Sequence, residues 1–398
     1  MKAVFNGSFT QQEPIPQDGI AAAVAVLQHG RLHRYNVVPG ETAETALLEK
    51  EFAEYTGARF CLAVASGGYA LGAAMRAAGV KAGDTVLTNA FTLAPVPGAI
   101  AALGAQPVFV EVTEDLVIDL SDLAKKAKAN NARYLLLSHM RGHICDMDAL
   151  MALCDAHGIA VIEDCAHTMG ANWNGTQSGR FGIAGCYSTQ TYKHMNSGEG
   201  GLIVSDDPDL MARMIMLSGS YMLFDRHSAG PAADVFDEIR YMTPNVSGRM
   251  DNLRAAILRP QLRRLDQQCT AWNARYRVVE NGLKDVPGLR LIPRPEKEGF
   301  VASSFQFSLP DWTDEQISAV VKACALRGVE LKWFGAAEPV GFTSRHDSWR
   351  YAQKQSLPQT DRVLHGLLDM RLPLTFSLED CALIAQIIAD EVRNSGEA

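Results

Sequence analysis

Short apolar runs and helical patterns alternate at near-regular spacing between residues 60 and 164, and few architectures accept that order. Segments 60–65, 85–89, 107–112, 134–138 and 159–163 read as buried strands. Helical segments 69–78, 97–103, 119–128 and 146–156 lie between them, with Asp119 opening one and Gly79, Gly104 and Gly158 closing three. Runs this apolar need cover on both faces, so the pattern predicts an α/β core with a mostly parallel central sheet and helices on both sides. In such sheets the chemistry gathers at the carboxyl ends of the strands.

The flanks read differently. Residues 1–40 are rich in Pro, Gly and Gln around one apolar segment, 20–27, and predict an N-terminal arm with a short helix. A large domain is expected over 41–260, including a loop at 218–247 with few periodic cues, which at that length is functional or mobile. A helical pattern from 251 toward 283 contains Pro260, expected to kink or break it and to mark a boundary. Residues 261–398 then predict a smaller α+β domain, with strands at 289–292, 304–309, 330–334 and 370–374. Its helices are one with the capping box Thr313-Asp-Glu-Gln316 and a last one from Ser377.

Composition excludes several classes. A chain of 398 residues that is 47% hydrophobic can bury such cores without staples. Its net charge of -8, with no basic stripe, argues against a nucleic-acid partner. The eight cysteines are scattered singly with no C-x-x-C pair, as expected of reduced thiols. The start, Met-Lys-Ala-Val-Phe-Asn-Gly, lacks a secretory pattern, and the longest uncharged run, 85–110, is broken by Pro95, Pro97 and Pro107. A cytoplasmic protein with no membrane partner is expected.

Two residues stand where chemistry is expected. Asp164 ends the run Val161-Ile-Glu-Asp-Cys-Ala-His167, where an acid can hold a proton on a pyridine nitrogen. Lys193 sits among uncharged polar residues before the turn Gly198-Glu-Gly-Gly201, which suits a walled pocket and a nucleophilic amine. Taken alone, the acid is as readily a strand-end salt bridge and the lysine a surface charge. His167 has no neighbour at metal-ligand spacing, so no metal is expected. The turn Ala65-Ser-Gly-Gly-Tyr69 joins a strand to a helix, where backbone N–H groups with the Ser66 and Ser188 hydroxyls would hold a phosphate. No G-x-G-x-x-G unit, P-loop or G-x-S-x-G elbow is present.

In order and spacing, Ser66 to Leu71, Gly83-Asp-Thr-Val86, Gly104 to Val110, His139-Met-Arg-Gly142, Asp146-Met-Asp148, Val161 to His167 and Lys193 to Gly201 resemble the DegT/DnrJ/EryC1/StrS family of pyridoxal-phosphate aminotransferases. The resemblance covers roughly 15–270. It implies a fold-type I large domain, a smaller C-terminal domain, and a homodimer with active sites at the interface. By position it implies Lys193 as the Schiff-base lysine, Asp164 at the pyridine nitrogen, His167 beside the ring, and Ser188 with the Gly67-Gly68 turn at the phosphate. The implied reaction is a ping-pong transfer from glutamate or glutamine to a keto group of a sugar, cyclitol or related small molecule. Ser-Thr-Gln-x-x-Lys193 and His33-Arg-Tyr35 lean toward the cyclitol and aminoshikimate side of the family.

Three departures from the family pattern are visible. Ser66-Gly-Gly68 replaces Asn-Gly-Thr, Leu93 stands where many members stack a ring, and Asn245-Val-Ser-Gly-Arg249-Met replaces Asn-x-Arg-Met. Either Ser247 or a displaced Asn245 would then reach the partner's phosphate. Two other readings keep the fold. A pyridoxal-phosphate lyase or dehydratase typically has histidine at the lysine position, and His194 adjoins Lys193. A non-catalytic regulatory or binding homologue would suit the altered phosphate and stacking positions. Arg31, Arg34 and Arg249 are candidates for a carboxylate clamp, and Trp333 and Trp349 lie in loops that either discriminate substrate or fill the small-domain core.

Overall fold

The computed structural model describes residues 3–396. Seven strands form one sheet: β1 Phe60–Val64, β2 Thr85–Asn89, β3 Gln106–Val110, β4 Tyr134–Ser138, β5 Ala160–Asp164, β8 Ala184–Ser188 and β9 Gly201–Ser205. A short hairpin, β6 Asn172–Trp173 and β7 Thr176–Gln177, lies between β5 and β8. The order is β1-β9-β8-β5-β4-β2-β3, parallel from β3 to β8, with β9 antiparallel to both its neighbours. In this register Ser138 pairs with Asp164, and Ser188 with Gly201. Polar residues at the ends of three strands therefore meet at one sheet edge.

Burial on both faces explains the continuous apolar runs. Leu135, Leu137 and Val161 pack on one side with Phe52, Leu123 and Leu150, while Leu136 and Ile162 pack on the other with Leu71, Ile100 and Ile215. The covering helices are α2 Glu44–Thr56, α3 Gly67–Ala77, α4 Pro95–Ala102, α5 Leu120–Asn130, α6 Met147–His157 and α7 Pro208–Ser218, while α1 Gln17–His29 packs on the helix at 252–262. Side chains of Ser66, Asp119, Asp146 and Asp207 each accept a backbone N–H at the start of the helix that follows.

Helix α2 is absent from the sequence reading because its buried face includes Glu49, which interrupts the apolar stripe. The 218–247 segment contains α8 Phe236–Met242, whose Phe236 stacks on Phe224 at 4.3 Å and ties it to the core. Pro260 lies inside α9 Asn252–Leu262, and the break before α10 Leu265–Leu283 falls at Arg263 and Arg264. The proline removes one bond in the last turn of α9, and the break follows within a turn of it.

In the C-terminal part, β10 Arg290–Leu291, β12 Ser304–Ser308, β13 Lys332–Trp333 and β14 Leu367–Arg371 form an antiparallel sheet ordered β10-β12-β14-β13. Helix α10, α11 Asp314–Leu326 and α13 Leu378–Gly396 cover its apolar face. Strand β11 Glu298–Gly299 pairs instead with β6, and α12 Pro358–His365, unanticipated from sequence, precedes β14. Leu368 and Met370 enter the core, which leaves Asp369 and Arg371 on the other face of β14. Phe5 and Phe9 of the N-terminal segment form an edge-to-face cluster with Phe376.

Candidate active site

Asp164 is fixed before any ligand arrives. Its Oδ1 accepts from the Ala166 N–H at 3.1 Å, and its Oδ2 accepts from the Ser138 hydroxyl at 3.2 Å. Ser138 in turn accepts from the Thr92 hydroxyl at 2.8 Å, while Asn89 bonds both the N–H and the carbonyl of Ser138. Burial raises the Asp164 pKa, and the charge of Lys193 works against that rise. The adjacent Glu163 is fully buried and bonded to His139 and to the N–H groups of Gly179, Phe181 and Gly182. Its role is to hold the chain around the hairpin.

Lys193 is presented by a loop closed on itself. Thr189 N–H donates to Gly200, Thr191 to Gly198, and Lys193 to Gln190. The amine is half-buried, with Nζ 2.8 Å from His167 Nε2. Burial, then the charge of Arg141, lowers its pKa to about 8, against the pull of Asp164. His167 is held well below its ordinary value, first by burial and then by the Lys193 charge. Its Nδ1 accepts the Arg141 N–H at 3.4 Å, which leaves Nε2 of the ring facing Lys193 Nζ.

At the opposite side, α3 begins at the cavity. The Ser66 hydroxyl accepts from Tyr69 N–H and so opens the helix. Among the described residues the N–H groups of Gly67 and Gly68 donate to no protein acceptor. A Cβ on Gly67 would stand 2.8 Å from the Ser188 Cβ, and one on Gly201 would stand 2.6 Å from the Ser66 carbonyl carbon. Glycine at both positions lets the helix start, Ser188 and β9 close together. The result is a small cavity of about 80 Å³ lined by Gly67, Gly68, Leu93, Asp164, His167, Ser188 and Lys193. Two free helix N-terminal amides with a hydroxyl at one end and a buried acid at the other fit a ring that carries both a phosphate and a protonated nitrogen.

Leu93 is the wall at the position where a ring was sought. Phe91 cannot substitute, because it packs edge-to-face on Phe334 at 5.2 Å away from the cavity. Asn245 and Ser247 are exposed; Asn245 Oδ1 accepts from the Ser247 N–H, and neither lines the cavity. His194 is turned away, bonded to the Met169 carbonyl and to Ser303 and packed on Trp272.

A second cavity of about 220 Å³ meets the first at Leu93, His167 and Lys193. It brings in Arg141 and Arg371, which sequence reasoning left unassigned, with Tyr192 and Phe342. Arg141 Nη2 is paired with the buried Asp369 at 2.9 Å. The sequence candidates lie elsewhere: Arg34 is locked to buried Glu49 at 2.8 Å, Arg31 to Glu41, and Arg249 to the Gly219 carbonyl. Trp333 donates to the His365 carbonyl and Trp349 packs on Phe109, so both belong to packing, and Phe342 is the ring that reaches the cavity. The signal for Arg371 was its alternation with Leu368 and Met370 along β14.

The chain matches the model of the DegT/DnrJ/EryC1/StrS aminotransferase family over residues 16–389. It is 31% identical over 294 residues to the L-glutamine:2-deoxy-scyllo-inosose aminotransferase of Streptomyces fradiae, an alignment spanning 73% of this chain and 68% of that protein. Among solved structures it superposes on 3-amino-5-hydroxybenzoic acid synthase with a TM-score of 0.83 and 26% identity, covering all of both chains. DesV of S. venezuelae, solved in complex with a ketimine intermediate, gives a TM-score of 0.78 at 28% identity over 96% of this chain and 94% of that one.

Proposed function

The chain belongs to the DegT/DnrJ/EryC1/StrS aminotransferase family, and we propose that it transfers an amino group from glutamine or glutamate to a keto group of a cyclitol, sugar or related small molecule. Pyridoxal phosphate is the proposed cofactor. The observation that carries this reading is the position of Lys193 Nζ, 2.8 Å from His167 and in one cavity with Asp164 and the start of α3.

When bound, pyridoxal phosphate supplies an electron sink for substrate carbon–hydrogen bonds. Asp164, immobilised by Ser138 and Ala166, holds the proton on the ring nitrogen. Gly67 and Gly68 N–H groups and the Ser188 hydroxyl hold the phosphate. Lys193 Nζ would hold the cofactor between turnovers, and the free amine would take up and return a proton in each half of a ping-pong exchange. His167 keeps the amine oriented, and Leu93 closes the cavity without an aromatic face.

The proposed assembly is a homodimer in the cytoplasm. Ile20, Val24 and Leu27 form an exposed apolar stripe on α1, and Tyr241 and Met242 stand 72% and 79% exposed, faces that a second copy would cover. Asn245 and Ser247 are exposed a few residues further along the chain and do not line their own cavity, and one of them would serve the partner's phosphate. The eight cysteines are buried free thiols, in keeping with a reducing compartment.

Purified protein supplied with pyridoxal phosphate is expected to absorb near roughly 410 to 430 nm, from the chemistry of a lysine-bound cofactor. Borohydride should abolish the band and leave its label on Lys193, and glutamine should bleach it. A colourless protein that takes up no cofactor would sink the proposal.

A further inference from the structure

A side chamber of about 40 Å³ opens beside the larger cavity, and Lys193 and Trp272 line both. The N-terminal arm walls the chamber with Glu13, Pro14 and Ile15, and α10 walls it with Gln268 and Trp272. The last two stand at i and i+4 on α10 and so share one face of the helix. Each holds an unspent hydrogen-bonding group. Gln268 Oε1 is buried with no partner, and the indole N–H of Trp272, a residue only 7% exposed, donates to no acceptor among the described residues. His194 packs on the Trp272 ring at 4.9 Å and holds its plane. Polar groups left unpaired in a buried wall cost free energy, and a ligand that pairs with both recovers it.

We propose that this chamber is the specificity site for the side arm of the amino donor, with Gln268 and Trp272 reading a primary carboxamide and so selecting glutamine over glutamate. The inference rests on the aminotransferase reading, which puts the donor amine at Lys193. A carboxamide carries an acceptor and two N–H donors, so its oxygen takes the Trp272 proton while its nitrogen gives one to Gln268 Oε1. A carboxylate has no proton to give. Gln268 Oε1 would then face a charged oxygen, and Glu13, which forms no ion pair among the described residues, adds a second negative charge in the same wall. Size selects the ligand group as well. A water-sized group takes roughly 10–15 Å³ of such a space, so the chamber admits about three of them, enough for a carboxamide and too few for a sugar or cyclitol ring. The acceptor ring is left to the larger cavity of about 220 Å³.

The probes are α-methylglutamine and α-methylglutamate, which carry a methyl in place of the Cα hydrogen, cannot lose that proton, and so isolate binding from transfer. Calorimetric titration of the cofactor-loaded protein is expected to show α-methylglutamine bound at least about tenfold more tightly than α-methylglutamate. Gln268→Leu should erase most of that preference, Gln268→Glu, which keeps an acceptor, should restore it, and Trp272→Phe, which keeps the ring and loses the N–H, should weaken α-methylglutamine binding. Retained cofactor absorbance shows that a variant has folded; if the Leu variant loses it, the Phe variant carries the comparison. Equal affinity for the two probes in the unsubstituted protein, binding of neither, or a preference that survives in both the Leu and the Phe variants would each overturn the proposal. Amine uptake from the natural amino acids separates the two readings. Protein that prefers α-methylglutamine through Gln268 yet takes no amine from glutamine keeps this chamber and loses the activity proposed above. Protein that takes the amine from glutamate as readily as from glutamine keeps that activity and loses the chamber.

Discussion

Lys193 Nζ and His167 Nε2 lie 2.8 Å apart across the mouth of the small cavity, and each has a pKa below its ordinary value. Burial lowers both pKa values, and Arg141 and Arg371 lower them further. Two normally cationic groups can lie in contact here because the ring is held neutral.

That contact predicts a pH signature. The Lys193 pKa is about 8 when folded and roughly 10.4 when unfolded, so between those values the unfolded chain binds more protons and stability rises with pH. The penalty is fully present below pH about 8. Urea unfolding of the cofactor-free protein and of Lys193→Met, at pH 7.5 and 10, should differ by roughly 2 kcal/mol in their pH response. Parallel responses would contradict the burial of a charge at this position.

Catalysis should depend on the same amine. Lys193→Ala is expected to keep its circular-dichroism spectrum and lose at least roughly 10³-fold in turnover. Retained turnover would refute the assignment.

Removing the Ser138 hydroxyl leaves Asp164 Oδ2 and the Thr92 hydroxyl without their partner. Ser138→Ala should cost about 1–2 kcal/mol in stability and reduce turnover with little change in KM for the donor. Unchanged kcat would separate Asp164 from this network.

The two glycines at the start of α3 should behave oppositely. Gly67→Ala places a Cβ 2.8 Å from Ser188, whereas one on Gly68 meets nothing within 4 Å. Thermal melts should show a loss of about 1–3 kcal/mol for the first and between zero and a gain of about 1 kcal/mol for the second. Equal losses would mean that the turn is not packed on Ser188.

Arg34, a candidate substrate ligand by sequence, is a structural residue instead. It bonds Glu49 through both Nη atoms and lies 3.0 Å from His227 Nδ1. Arg34→Ala should destabilise the protein by roughly 3–5 kcal/mol while leaving donor KM unchanged in the folded fraction. A rise in KM at intact stability would restore it to the site.

Much of the sheet was legible because its strands are buried on both faces, which turns each into an unbroken apolar run, and because glycines and Asp caps mark the helix ends. Helix α2 was not legible, since the buried Glu49 hides its apolar face and its partner Arg34 comes from another segment. Asp164 and Lys193, which the fold brings to one cavity, stand out along the chain because each sits where local order alone constrains it: the end of a strand, and a glycine-closed loop.

What sequence by itself determined is this local grammar and, through it, the family to which the chain belongs. Only the tertiary structure decided which charges are free. Arg34, Arg141 and Arg371 look alike along the chain, yet among the described residues Glu49 pairs with the first and Asp369 with the second, while the third lies over the Tyr192 ring with Asp369 as a more distant charge. Ion pairing is settled by contacts between residues far apart in sequence, and a guanidinium's availability to substrate depends on which of those contacts the fold makes.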